Sequence, residues 1–142
     1  MPIINAAGLS LQQVIVIDDE ECILRLAKKL LNRDCTDCDI TLFNTAEAAV
    51  NELQERSRNE TLVPTIVIID GNLSLDSGFY RLGHEVVRHL RSMEFGDKLH
   101  IIAHSGETES NKKMLQAGAN VSVIKNEILT LPEVVSAAFG RN

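Results

Sequence analysis

Polar residues whose chemistry suits a metal ion and a phosphoryl group follow four short apolar runs of this chain. The runs are residues 14–17, 66–69, 99–103 and 121–124, and the polar residues behind them are Asp18, Asp19, Asp70, Ser105 and Lys125. Three clustered carboxylates repel one another and need a cation, and oxygen ligands that leave room for water and phosphate suit Mg²⁺. A hydroxyl and an ammonium group beside them would stabilise phosphoryl oxygens. The residue types therefore predict phosphoryl chemistry with Mg²⁺, provided that the fold gathers them.

The apolar runs also predict the elements that would gather these residues. Runs this short and this rich in Val and Ile are typical of parallel strands buried on both faces. The predicted strands are 14–17, 40–43, 66–69, 99–103 and 121–124. The first predicted helix spans about 20–32, the second starts at 44 and ends in the charged residues 55–60, and the third ends near 93. The fourth spans about 107–117, and the last ends at 139. Such alternation predicts an α/β fold with a doubly wound five-stranded parallel sheet. Ligands of such sheets bind where the carboxyl ends of the strands meet.

Three local patterns predict helix ends. Asn44, with Glu47 three residues later, is similar to a capping box. Gly118 fits the left-handed residue that closes a helix. Thr130 and Glu133 form a second capping pattern, which predicts the start of the last helix.

Composition limits the class of protein. The 142 residues, 44% hydrophobic and 24% charged, predict one globular domain over 14–142, preceded by an N-terminal arm over 1–13 and followed by no second domain. A net charge of −6 argues against a nucleic-acid partner. No apolar run approaches the roughly 20 residues of a membrane span, so we expect no membrane partner. The lack of a signal-peptide pattern and the odd number of cysteines, three, favour a cytoplasmic protein with reduced thiols.

Several sequence pieces agree in order and spacing with one known family. They are Asp18-Asp19, Asp70, the helix sequence GHEVVRHLR at 83–91, His104-Ser105-Gly106, and Gly118-Ala119 seven and six residues before Lys125. The ordered set resembles the receiver domain of response regulators in two-component signalling. The resemblance implies the (βα)5 flavodoxin-like receiver fold and a single-domain response regulator of chemotaxis type.

The resemblance also implies a role for each residue of the site. Asp70 would accept a phosphoryl group from a histidine kinase or a phosphotransfer protein. Asp19 would ligate Mg²⁺ directly and Asp18 mainly through water, and the backbone carbonyl of Asn72 would complete the protein ligands. Ser105 would hydrogen-bond the phosphoryl group and Lys125 would pair with it. The downstream partner would be an effector protein that the sequence does not name, and the chain would catalyse only its own phosphorylation and dephosphorylation.

Two further positions flank the phosphoryl group in this family, two residues after the nucleophile and two after the Ser/Thr. They are Asn72 and Glu107 in this chain. Polar residues there are similar to those of receivers whose phosphoryl group turns over quickly, so we expect these two positions to influence its lifetime.

The sequence departs from the family pattern in three places. Asn126 follows Lys125 where the family has Pro, usually after a cis bond, so the loop is either trans and reshaped or strained. Ser122 stands where the family has the aromatic residue that reports activation. Gly83 lies thirteen residues after Asp70 instead of eight. We interpret this as a loop insertion around Leu73–Leu82 that supplies partner specificity. An alignment on Gly78 would lengthen the start of the helix instead.

Two alternative functions stay open at this point, and one cysteine motif has to be considered beside them. The departures at Ser122 and Asn126 favour a phosphorylation-independent adaptor of the same fold. A haloacid-dehalogenase-like phosphohydrolase also uses Mg²⁺ and an aspartyl phosphate, but its nucleophile belongs in an Asp-x-Asp motif, whereas Asp18 and Asp19 are adjacent. Cys35 and Cys38 form a C-x-x-C, which lacks the second pair of a zinc site and does not open a helix, so we expect no metal or redox role there.

Overall fold

The computed structural model describes residues 12–73 and 81–140. Five strands form one sheet in the order β2-β1-β3-β4-β5, and every neighbouring pair is parallel. The strands are β1 (Gln12–Ile17), β2 (Cys38–Phe43), β3 (Thr65–Ile69), β4 (Leu99–Ala103) and β5 (Val121–Ser122). The predicted five-stranded parallel sheet is confirmed. The first strand begins at Gln12, so residues 12 and 13 of the expected arm belong to the sheet, and residues 1–11 lie outside the described part.

Helices cover both faces of the sheet. They are α1 (Glu21–Asp34), α2 (Ala46–Arg58), α3 (Gly83–Ser92), α4 (Thr108–Ala117) and α5 (Leu131–Ala138), with short 3-10 helices at Gly96–Lys98 and Lys125–Thr130. Ile15 and Ile17 of β1 face the core built with α2, α3 and α4, whereas Val14 and Val16 face the core built with α1 and α5. This alternation is the period of two that strand side chains follow. None of the described helices is long and apolar enough to cross a membrane.

The sheet order puts a crevice at the carboxyl ends of β1 and β3. The connection after β1 leads to one side of it, to β2, and the connection after β2 leads back to β3 on the other side. Backbone hydrogen bonds extend the sheet into the loops beyond: Asp70 N donates to Ile17 O at 3.0 Å, and Asp18 N donates to Phe43 O at 3.1 Å. The crevice at such a reversal of strand order is where ligands bind in doubly wound folds.

Several predicted boundaries differ in the structure. The cap of α2 is Thr45 instead of Asn44, because the Thr45 hydroxyl reaches Ala48 N at 3.3 Å, and the helix continues through the charged residues to Arg58. Thr130 does not cap α5, since its backbone is already helical and its hydroxyl donates to Glu127 O. Gly118, with φ of 124°, closes α4 as predicted.

The last strand is shorter and more exposed than predicted. Only Val121 and Ser122 of the expected strand 121–124 pair with β4, and both are exposed, because β5 is an edge strand with a partner on one side. Val123 N still donates to Ala103 O at 2.8 Å, and the Val123 side chain is buried. The chain then turns into the 3-10 helix Lys125–Thr130.

The C-x-x-C cysteines belong to the core between the sheet and α5. Cys35 and Cys38 are buried, and neither forms a disulfide. Cys35 Sγ lies 3.6 Å from Ser136 Oγ and 3.9 Å from Pro132 O. These contacts account for a packing role of Cys35.

Candidate functional site

Two buried carboxylates flank the crevice. Asp18 and Asp70 are 1% and 4% exposed, and they follow the central strands β1 and β3 directly. One oxygen of each is held by the backbone, because Glu20 N donates to Asp18 Oδ1 at 2.9 Å and Gly71 N donates to Asp70 Oδ1 at 2.7 Å. The other oxygen of each carboxylate is left for a further partner.

Lys125 supplies the positive charge between these groups. Its Nζ lies 2.8 Å from Glu20 Oε1, 3.0 Å from Asp18 Oδ2 and 3.2 Å from Asp70 Oδ2. The Lys125 side chain is 13% exposed, so these ion pairs are only partly screened by water. The turn after β5 therefore places one ammonium group against three carboxylates.

Burial and neighbouring charges shift the pKa of each group in the crevice. Burial and the charge of Asp18 raise the pKa of Asp70 to about 6. Burial likewise raises the pKa of Asp18, against the opposing effects of its hydrogen bond from Glu20 N and of Lys125. Burial works to lower the pKa of Lys125, but the three carboxylates outweigh it and raise that pKa. At neutral pH the site therefore holds an ammonium group and carboxylates that crowd one another.

Ser105 and Glu107 approach the crevice from the turn after β4. Ser105 is 4% exposed, and its Oγ accepts a hydrogen bond from Glu107 N at 3.1 Å. Ser105 O accepts from Lys125 N at 3.1 Å, so this turn is joined directly to the turn of the lysine. The peptide bond between Lys125 and Asn126 is trans, as are all bonds of the described residues. The trans, reshaped form is thus the one found for this loop.

Asn72 lies at the start of a narrow stem that connects β3 to α3. Asn72 and Leu82 form an antiparallel bridge, with hydrogen bonds from Leu73 N to Arg81 O at 2.9 Å and from Gly83 N to Gly71 O at 3.0 Å. Neither bond uses the carbonyl of Asn72. Of the predicted insertion Leu73–Leu82, residues 74–80 lie outside the described residues.

Leu73, the first residue of the predicted insertion, lies in the core. The residue is 0% exposed and belongs to the core with α2 and α3. Leu73 is therefore excluded from any test that shortens the insertion.

Two glycines allow the close approach of backbone and helices around Asp70. A Cβ on Gly83 would collide with Asp70 O, and a Cβ on Gly71 would lie 2.7 Å from Ser110 Cβ. Real Cβ atoms do not approach other atoms this closely. Any larger residue would push α3 or α4 away from the loop that follows Asp70.

The predicted polar residues line one open cavity of about 240 Å³. Its lining consists of Asp19, Glu20, Asp70, Asn72, Ser105, Gly106, Glu107 and Lys125. Asp18 is the one predicted site residue outside this lining, and it lies directly behind Lys125, at 3.0 Å. The structure thus brings together the residues that the sequence singled out.

The donor set of the crevice fits a divalent cation. Asp18, Asp19, Glu20 and Asp70 each offer a carboxylate oxygen, and these oxygens lie within 4.8 Å of one another. Within the described ranges the buried Asp18 Oδ2 accepts no hydrogen bond and has only the ion pair with Lys125. Mg²⁺ takes oxygen ligands and keeps part of its water shell, so a cluster of carboxylate oxygens beside an open cavity fits this ion.

Reasoning from sequence assigned no role at the site to three residues that the structure places there. Glu20 lines the cavity, and its position next to the acidic pair is a signal that could have found it. Asn111 hydrogen-bonds both polar backbone groups of Ser105, and no local pattern announces this contact. His104 is 1% exposed, and burial together with the charge of Lys125 lowers its pKa to about 4, so it is neutral beside the site.

Known structures share this fold. RcsB, a response regulator of Salmonella typhimurium, superposes with a TM-score of 0.74 at 18% identity over 94% of this chain and 63% of RcsB, so the chain spans less than two thirds of that protein. The BeF3-activated receiver domain of DrrB from Thermotoga maritima gives 0.70 at 22% identity over 92% and 99% of the two chains. A CheY-like receiver domain protein of Methanospirillum hungatei JF-1 gives 0.70 at 18% identity over 92% and 95%. No curated protein sequence matches the chain significantly.

A family match agrees with the fold and with the site. Residues 14–135 match the family described as response regulator receiver domain. Asp70 follows the third strand and the adjacent pair Asp18-Asp19 follows the first, which is not the arrangement that a haloacid-dehalogenase-like phosphohydrolase needs. The chain belongs to the response regulator receiver domains.

Proposed function

We propose that this receiver accepts a phosphoryl group on Asp70 and signals through contacts with other proteins. The observation that carries the proposal is the placement of Asp70: it ends the central strand β3, lines the cavity and has Lys125 at 3.2 Å from Oδ2. Gly71 N holds Oδ1 and so fixes the plane of the carboxylate. A fixed, desolvated carboxylate is a suitable nucleophile for an acyl phosphate.

The charges around Asp70 suit the transfer. With a pKa of about 6, the Asp70 carboxyl is mostly ionised at pH 7 and can act as the nucleophile without a separate base. Lys125 keeps its proton, because the carboxylates around it raise its pKa despite its burial. Its ammonium group can therefore balance the charge of a phosphoryl group, which is the main task of a protein in phosphoryl transfer.

We propose Mg²⁺ as the cofactor. Asp18, Asp19 and Asp70 would hold it together with the carbonyl of Asn72, which the bridge to Leu82 leaves unused. When bound, the ion would offset the charge of the carboxylates and of the phosphoryl oxygens. Glu20 is close enough to add to the negative charge that attracts the cation.

Ser105, Asn72 and Glu107 would contact the phosphoryl group from the rim of the cavity. The hydroxyl of Ser105 can turn from Glu107 N, its present donor at 3.1 Å, to donate to a phosphoryl oxygen. Asn72 and Glu107 are exposed and line the same cavity, so their side chains control how water reaches the group. We propose that these two residues set its lifetime.

The proposed partners follow from the family. A histidine kinase or a phosphotransfer protein would supply the phosphoryl group, and an effector protein would respond to it. The net charge of −6 supports neither nucleic acid nor an anionic membrane surface as a partner of the chain.

Acetyl phosphate with Mg²⁺ separates this proposal from the adaptor alternative. The phosphoacceptor should gain one acid-labile adduct, detected by intact mass, and should lose it over time. A chain that takes up no phosphoryl group from several small donors, although folded and Mg²⁺-bound, would be an adaptor of receiver fold. The adaptor has one structural observation in its favour: Ser122 is short and exposed, so the familiar aromatic reporter is missing.

A further inference from the structure

Asn111 of α4 holds the backbone of Ser105 from both sides. Its Oδ1 accepts a hydrogen bond from Ser105 N at 2.9 Å, and its Nδ2 donates to Ser105 O at 3.2 Å. Asn111 is 5% exposed, so water competes little for these bonds. A buried amide that satisfies both polar backbone groups of one residue leaves that residue little freedom to move by itself. The backbone of Ser105 is thereby tied to α4.

The same carbonyl ties α4 to the lysine. Ser105 O accepts a second hydrogen bond, from Lys125 N at 3.1 Å, so one oxygen joins the side chain of Asn111 to the turn that carries the ammonium group. The first turn of α4 also rests on the loop after Asp70, since a Cβ on Gly71 would lie 2.7 Å from Ser110 Cβ. The start of α4 therefore contacts two segments beside the phosphorylation site: the turn that carries Ser105 and the loop that follows Asp70.

We infer that Asn111 is a positioning residue, which fixes Ser105 for its contact with the phosphoryl group and transmits the response of Ser105 and Lys125 to α4. This inference rests on the proposed function. The hydroxyl of Ser105 is bonded to Glu107 N in the present state and has to change its partner. While it does so, Asn111 keeps the backbone of Ser105 attached to the helix. On the neighbouring strand β5, the residue at the position of the family's aromatic reporter is the short, exposed Ser122.

Two substitutions at Asn111 and one matched control test the inference. Asn111→Leu removes both hydrogen bonds and keeps most of the volume, and Asn111→Ala removes the volume as well. Thr65→Val is the control, because it removes a buried hydroxyl that donates to Val63 O at 2.7 Å. Thr65 is the first residue of β3, so it lies at the opposite end of that strand from the site. Each folded protein is titrated with Mg²⁺ alone and then with beryllium fluoride in excess Mg²⁺, as a stable phosphoryl analogue. Amide hydrogen exchange is followed in α4 and at residue 105.

We expect both Asn111 variants to bind Mg²⁺ as the wild type does, because the two side-chain hydrogen bonds of Asn111 go to Ser105 and not to a carboxylate. Their affinity for beryllium fluoride should fall about tenfold, the worth of one or two hydrogen bonds. The change in amide exchange that the analogue causes in α4 of the wild type should be lost. Thr65→Val should keep the wild-type affinities for Mg²⁺ and for beryllium fluoride, and the change in amide exchange in α4.

The outcomes separate this inference from the proposed function. If the wild type binds no beryllium fluoride, the proposed function and the inference are both overturned. If the wild type binds it and both Asn111 variants bind and respond equally well, the inference alone is overturned. An equal loss in the Asn111 variants and in Thr65→Val would show a general loss of stability and would also overturn it.

Discussion

Glu20 Oε1 lies 2.8 Å from Lys125 Nζ, which is closer than either aspartate oxygen that shares this ammonium group. The Glu20 side chain is 53% exposed, so the pair contributes little to stability. Its effect is local, because Lys125 has one charge to divide among three carboxylates. Glu20 therefore draws the ammonium group of Lys125 toward the rim of the crevice, and Asp70 has the longest of the three contacts with it.

Removing the charge of Glu20 should lower the pKa of Asp70. In Glu20→Gln, one negative neighbour is gone and Lys125 is freer to approach Asp70, and both changes favour the ionised carboxyl. The pKa of Asp70, about 6 in the wild type, should fall in a carboxyl-carbon NMR titration without metal. Glu21→Gln is the control, since it removes the same charge one residue further along α1. If the pKa of Asp70 is unchanged in Glu20→Gln, the ion pair between Glu20 and Lys125 does not influence Asp70 in solution.

The Mg²⁺ site should depend on Asp19 as well as on the buried aspartates. We expect Asp19→Asn to weaken Mg²⁺ binding by about tenfold or more, because a carboxylate of the cluster loses its charge. Titration calorimetry measures the change. Asp39→Asn is the control, since Asp39 lies near the amino end of β2, at the opposite end of the strands from the carboxylate cluster. Equal Mg²⁺ affinities of Asp19→Asn and the wild type would show that the ion binds elsewhere.

Asp70→Asn should stabilise the metal-free protein at neutral pH and lose this advantage in acid. The folded state raises the pKa of Asp70 from 3.8 to about 6, so the folded protein binds this proton more tightly than the unfolded chain. Ionisation of Asp70 therefore costs stability in full above about pH 6, and the cost disappears as the pH falls toward 4. The gain in the variant should be of the order of 2 kcal/mol at pH 7.

Urea unfolding in a metal chelator, repeated from pH 7.5 to about 4, tests this pH dependence. The difference in the free energy of unfolding between variant and wild type should shrink across that range. A variant that is less stable at pH 7, or a difference that does not vary with pH, would contradict the crowding of carboxylates around Asp70.

Replacing residues 74–80 with an Asn-Gly turn should leave the core intact. Leu73 N and Arg81 O already lie 2.9 Å apart in an antiparallel bridge, so a two-residue hairpin turn can join the ends. The free energy of unfolding, measured by thermal denaturation, should change by less than about 1 kcal/mol in the shortened protein. In Leu73→Ala, which alters the core, it should fall by about 2–5 kcal/mol. The shortened protein should still be labelled by acetyl phosphate. The rate of phosphoryl transfer from the cognate kinase, or the affinity for the effector, should fall. If both partners still interact normally, the loop has no part in specificity.

The positions of the main site residues could be predicted because they depend on short-range patterns. Asp18 and Asp70 follow apolar runs directly, and parallel strands bring their carboxyl ends to one edge whatever the loops do. The attraction of Lys125 to Glu20 could not be predicted, since it depends on how far two side chains reach across the crevice. The bond pattern of Asn111 is equally invisible in sequence, because it joins a helix side chain to a backbone in another turn.

The predicted ends of helices and strands were wrong where two neighbouring residues could both cap a helix, and where a strand lies at the edge of the sheet. Asn44 and Thr45 are both good caps, and only the approach of the Thr45 hydroxyl to Ala48 N decides between them. Residues 121–124 have the apolar pattern of a strand, but β5 has a neighbour on one side only, and pairing stops after Ser122.

The central claim is that Asp70 is the phosphoacceptor, and mass spectrometry after treatment with acetyl phosphate and Mg²⁺ tests it most directly. The wild type should gain one adduct of roughly 80 Da that acid removes, and peptide mapping should place it on Asp70. Asp70→Asn should remain folded and gain none. An adduct retained in Asp70→Asn, or mapped to another residue of the wild type, would contradict the account.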